Sequence, residues 1–161
     1  MSIQLSGADL IDLAIQTETR GERFYRQAAA ATDKPEAQEL FAYLGDQEVL
    51  HRRTFERLSG AIVVTELDPT TWDEITAYID ATVDSAFFSK DAPIQAIPAS
   101  ATVEGMLTQA IQFEQQTLLY FGSLRDLVQP ANRVLVDQII AEERSHVRRL
   151  AAMLKQVRAA N

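Results

Sequence analysis

The sequence contains no cysteine. That absence excludes disulfides, thiolate-bound metals and a cysteine nucleophile together. Glycine and proline are also sparse, 6 and 5 residues in 161, too few for the tight turns of a many-stranded β fold. Basic residues are in deficit, 15 against 23 acidic, which leaves a net charge of −8. Nucleic acids and anionic membranes are bound through basic patches, so neither is expected as a partner. No stretch of ~18 apolar residues occurs, so no membrane-spanning helix is expected. The N-terminus shows no basic segment followed by an apolar core, and a cytoplasmic location is the expectation.

What is present is helix-forming sequence in one domain's length. Apolar residues make up 47% and charged residues 24%, the balance of a globular rather than a disordered chain. All five prolines, Pro35, Pro69, Pro93, Pro98 and Pro130, fall between apolar-periodic segments. A proline inside a helix costs ~3 kcal/mol, so these positions divide the chain into helical units. Four long helices are predicted, over about 8–31, 35–59, 101–128 and 130–158. Ser6 is the expected N-cap of the first, Asp33 or Lys34 precedes the second with Gly60 ending it, and Ser100 precedes the third. Between the second and third, Thr71 and Glu74 have capping-box spacing, and Trp72, Ile75, Ile79, Val83 and Phe87 share a face. A shorter helix over about 70–88 is predicted there. Two short hairpins joined by one long crossover form an all-α, ferritin-like four-helix bundle, a single domain spanning 1–161.

The halves repeat. Ala14-Ile15-Gln16-Thr17-Glu18 returns as Ala110-Ile111-Gln112-Phe113-Glu114, 96 residues on, and Glu48-x-x-His51 returns as Glu143-x-x-His146, 95 residues on. The chain has only two histidines, and each follows a glutamate by three. Residues three apart project from one helix face. Both pairs lie on apolar stripes: Leu44, Glu48, His51, Phe55 in one helix and Ile139, Glu143, His146, Leu150 in the other. Glu18 and Glu114 lie on comparable stripes. A buried carboxylate without compensation costs several kcal/mol or takes up a proton. Two divalent cations would compensate four glutamates, giving a neutral site of four carboxylates and two imidazoles. The candidate ligands are therefore Glu18, Glu48, His51, Glu114, Glu143 and His146. Oxygen-rich ligation with one imidazole per metal suits two iron ions, with manganese as the other candidate.

Neighbouring residues read more plainly. Glu22 is expected to be solvated or paired with Arg26, and Glu142, lacking the i+3 spacing to His146, to face away. Tyr25, Tyr43 and Tyr120 are expected mainly as core. The stretch 60–100 carries seven acids against Lys90 alone and reads as a solvated acidic face.

At these residues the chain resembles the rubrerythrin-like branch of the ferritin-like superfamily. Ala14, Ile15, Glu18, Phe24 and Tyr25 look like that family's first helix, and the two Glu-x-x-His pairs look like its second and fourth. The resemblance implies terminal ligation by Glu18 and Glu114, bridging by Glu48 and Glu143, and His51 and His146 capping one metal each. It implies reaction with peroxide or O₂, of peroxidase or ferroxidase type, and a homodimer. Iron binding without efficient turnover is the alternative. Two departures stand out. With no cysteine there is no rubredoxin-type donor in this sequence, so an external electron donor is expected. Where those relatives carry a further glutamate one turn after the third-helix ligand, this chain has Thr117.

Overall fold

The computed structural model describes residues 7–59, 69–71, 73–74, 77 and 97–160. Four long helices carry the fold: α1 (Gly7–Ala31), α2 (Pro35–Leu58), α3 (Val103–Leu127) and α4 (Pro130–Ala159). Their 24 to 30 residues correspond to about 36–45 Å at 1.5 Å per residue. In the crossover, Pro69–Thr71, Asp73, Glu74 and Ala77 are helical, in keeping with a helix there, but Thr71 is itself within the helix and so is not its N-cap. The rest of the predicted 70–88 helix lies outside the described residues, as do Ser6, Gly60 and most of the acidic stretch. Among the described residues no helix is long and apolar enough to cross a membrane.

The boundaries have local causes. Pro35 and Pro130 start α2 and α4 at the first turn, where the missing N–H is not needed and the fixed φ is already helical. Lys34 is the α2 N-cap and contributes no side-chain bond; its own N–H donates instead to Thr32 Oγ1 at 3.2 Å. The third helix begins two residues later than its sequence suggests. Thr102, not Ser100, caps it, accepting from the Gly105 N–H at 3.0 Å.

Short links make α1 pack along α2 and α3 along α4, and the two hairpins close face to face. Two apolar clusters fill the interior. One holds Leu10, Ile11, Phe55, Phe121, Leu124 and Ile139; the other holds Phe24, Phe41, Leu44, Met106, Leu107 and Leu150. Each fully buried side chain of this size contributes ~1.5–3 kcal/mol. Glu18, Glu48, His51, Glu114, Glu143 and His146 lie between these clusters along the helices. The bundle interior is therefore a charged slice between two apolar plugs. Tyr120 ties the hairpins together, its buried hydroxyl donating to the Leu10 carbonyl of α1.

Candidate metal centre

Each of the six predicted residues is buried, with no more than 2% of its surface exposed, and the bundle brings all six together. They form two overlapping groups. Glu18, Glu48, His51 and Glu143 make one, and Glu48, Glu114, Glu143 and His146 make the other; within each, one ligand atom per residue lies within 4.8 Å of the others. Glu48 and Glu143 belong to both groups. Each group then has its own glutamate and its own histidine, the grouping that the family resemblance implies.

Glu143 sits between the imidazoles. Its Oε1 is 2.9 Å from His51 Nδ1 and its Oε2 is 2.7 Å from His146 Nδ1. The two rings are nearly parallel, their centroids 5.6 Å apart. Glu18 Oε2 lies 3.7 Å from His51 Nδ1, and Glu114 Oε1 lies 3.7 Å from His146 Nδ1. Both histidines thus turn the same nitrogen, Nδ1, towards the carboxylates.

Burial and mutual charge set the protonation of this cluster. Burial, reinforced by the charges of Glu143 and Glu114, pushes Glu18 well above the usual carboxylate range. Burial and the charges of Glu18 and Glu143 do the same to Glu48. Burial and Glu143 raise Glu114 to about 8. Burial also works to raise Glu143, but the hydrogen bonds from His146 and His51 win and hold it well below the usual range. Burial disfavours the charged imidazoles, yet their carboxylate partners raise both to about 9. Four buried carboxylates cannot all ionise beside one another unless positive charge is supplied.

The donor set fits two cations. Both oxygens of Glu18, both of Glu48 and Oε2 of Glu114 are buried without a hydrogen-bond partner, a costly state for groups that are anionic acceptors when ionised. Hard oxygen ligands with one imidazole in each group suit first-row divalent metals. The backbone also makes room for one ligand. A Cβ added at Gly21 of α1 would lie 2.8 Å from Glu48 Oε2 and 2.9 Å from its Cδ.

Four neighbours differ from their sequence reading or extend it. Glu142 does not face away: its Oε2 lies 2.7 Å from His51 Nε2. One position before Glu143 it is rotated by about 100° around α4, and that direction meets α2. Tyr25 is core and more, since its buried hydroxyl donates to Glu114 Oε1. Glu22 pairs chiefly with Arg52, at 2.6 Å, with Arg26 only at 4.0 Å. Tyr43 packs edge-on to His146 and lies under the Arg149 guanidinium. Helical periodicity alone does not single out Gly21. Its signal was available: a mid-helix glycine costs ~1 kcal/mol relative to alanine, and the repeat places Thr117 opposite it.

Fold and centre together define a ferritin-like helical bundle with a buried carboxylate–imidazole cluster. The chain is similar in structure to a protein from Thermotoga maritima assigned as a ferritin-like diiron-carboxylate protein. The two share 25% identity at a TM-score of 0.68, over 98% of this chain and 99% of that one. The Rubrerythrin family model matches residues 9–102, more than half of the sequence, and the chain belongs to that family. No curated protein matches it.

Proposed function

We propose that this protein is a di-iron carboxylate oxidoreductase, with Glu18 and His51 holding one iron and Glu114 and His146 the other. Glu48 and Glu143, common to both groups, would serve both ions. The observation that carries this reading is the overlap of the two four-residue groups at those two glutamates and nowhere else. The Thermotoga maritima protein's assignment supports iron as the metal.

When bound, a pair of ferrous ions would supply two-electron chemistry, which with two protons suffices to reduce one peroxide to two waters. The residues of the chain set the conditions for this. Four carboxylates neutralise two divalent charges, and the apolar plugs on either side keep bulk water from the ends of the slice. Glu143, with one oxygen towards each imidazole, is placed to span the pair, and Tyr25 holds Glu114 in one orientation. Turnover would draw on an electron donor outside these 161 residues, which include no cysteine to hold a thiolate-bound iron. The same lack favours one alternative, iron binding and handling without efficient turnover.

The test is anaerobic loading with Fe²⁺, metal analysis, and addition of O₂ or H₂O₂ while near-ultraviolet absorption is recorded. About two irons per chain and a ferric band that grows faster with one oxidant are expected. Uptake unchanged by replacing Glu48 and His51 with alanine would refute the site. Stoichiometric iron that no oxidant oxidises faster than free Fe²⁺ would select the alternative.

A further inference from the structure

The repeat makes the two halves of the centre comparable residue by residue, and they are not equal. The offset of 95 between α2 and α4 pairs Glu142 with Gln47, and the offset of 96 between α1 and α3 pairs Tyr25 with Phe121. In the Glu18/His51 half, the outward nitrogen of the imidazole meets a carboxylate, Glu142 Oε2, at 2.7 Å. In the Glu114/His146 half the corresponding position is the neutral Gln47. Among the described residues no carboxylate meets His146 Nε2; its ring nitrogen contacts run through Nδ1 to Glu143 and Glu114. The terminal glutamates differ too. Glu114 has one oxygen engaged by the Tyr25 hydroxyl. Glu18 has neither oxygen engaged, because the equivalent ring, Phe121, has no hydroxyl and the adjacent Tyr120 hydroxyl is spent on the Leu10 carbonyl.

Both differences act in one direction. A carboxylate accepting from Nε2–H fixes the tautomer that leaves the Nδ1 lone pair free, and makes that nitrogen a stronger donor. A hydroxyl donating to a carboxylate draws charge from it and competes with a cation for the same oxygen. The Glu18/His51 half therefore has an oriented, electron-rich imidazole and an uncommitted carboxylate. The other half has neither.

Resting on the two-metal reading above, we infer that the positions fill in order: the Glu18/His51 position binds first and more tightly, the Glu114/His146 position second, with Glu142 as the residue that positions His51. Glu142 is 54% exposed, so replacing it leaves the packing of the bundle intact, and its effect passes through His51 alone.

The test is a Co²⁺ titration of the full chain followed by its d–d absorption and by calorimetry, compared with E142A, E142Q and Y25F. The wild type should take up two equivalents in two resolved steps. E142A should weaken the first step about 10–100-fold, the range seen when an outer partner of a ligating histidine is lost. E142Q, which keeps an acceptor but not the charge, should fall between. Y25F should strengthen the second step and leave the first unchanged, so that the two steps converge. Two equal steps in the wild type, or an E142A effect shared equally by both, would overturn the ordering while leaving the two-metal site standing. Failure of the wild type to bind two equivalents would instead overturn the reading on which it rests.

Discussion

Gly21 offers the sharpest test of how closely the backbone is fitted to the centre. Alanine at this position of α1 gains up to ~1 kcal/mol of helix propensity, since glycine is the less favourable residue in a helix interior. Against that stands its Cβ, 2.8 Å from Glu48 Oε2 where ordinary contact begins at 3.4 Å, with Phe113 Cε1 at 3.0 Å on another side. The Glu48 carboxylate must then withdraw by about 0.6 Å. Without metal this costs little: the carboxylate is the far end of a flexible side chain and its oxygens have no hydrogen-bond partner to lose. On the proposed two-metal reading the same carboxylate, shared by both groups, would serve both ions and be held from both sides. The substitution should thus act on binding. A loss of 10–100-fold in affinity corresponds to about 1.4–2.8 kcal/mol. By mass action it appears as a smaller metal-dependent gain in stability. Urea denaturation of wild type and G21A, each with chelator and with saturating Co²⁺, separates the effects. G21A should be as stable as wild type or slightly more so with chelator, and lose part of the metal-dependent gain. Equal destabilisation in both conditions would show a plain packing clash, and an unchanged metal-dependent gain would show that Glu48 does not bridge.

Three other outcomes follow from the same geometry. Chelated protein should lose stability as pH rises from about 5 to 9: burial and neighbouring charge raise Glu18, Glu48 and Glu114 in the folded state, and carboxylate partners raise both histidines to about 9. Groups with raised folded pKa values favour the fold at low pH and lose that advantage as they deprotonate, so a thermal midpoint that stays level or climbs over this range would contradict it. The shared glutamates should behave oppositely in chelated protein. E143A strands two buried imidazoles and should cost ~3–5 kcal/mol, whereas E48A removes a repelled carboxyl and should cost far less, although both abolish two-metal binding; equal costs by urea denaturation would remove the distinction. Y120F should cost ~0.5–1.5 kcal/mol by removing one buried hydrogen bond, the Leu10 carbonyl keeping its place in the α1 ladder, while Co²⁺ stoichiometry stays at the wild-type value, and a changed stoichiometry would place Tyr120 in the centre.

The centre was legible in the sequence to the extent that helical periodicity alone decides it. Glu48 with His51, and Glu143 with His146, share a face whatever the helix packs against, and the apolar stripes around them point that face inward. Glu142 departs from its expected outward placement because periodicity gives an angle about one axis, not the neighbour that occupies that angle. Only the packing of α4 on α2 turns an exposed-looking glutamate into a partner for His51. The Tyr25 hydroxyl raised the same difficulty, since a core ring and a ring that orients a ligand have identical spacing. The start of α3 was missed for another reason. Ser100 and Thr102 are both good caps, and the choice fell to the backbone near Pro98, whose carbonyl accepts from the Ala101 N–H at 2.8 Å.

The duplicated hairpin has a consequence for what such a centre can become. Two identical hairpins assembled as separate chains about a two-fold axis must give both ions the same surroundings, because symmetry copies every substitution into both halves. One continuous chain is under no such obligation. A tyrosine can stand opposite a phenylalanine and a glutamate opposite a glutamine, each altered once and on one side only. The long link between the hairpins therefore does more than connect them: it lets one repeated motif offer two different sets of surroundings within a single chain.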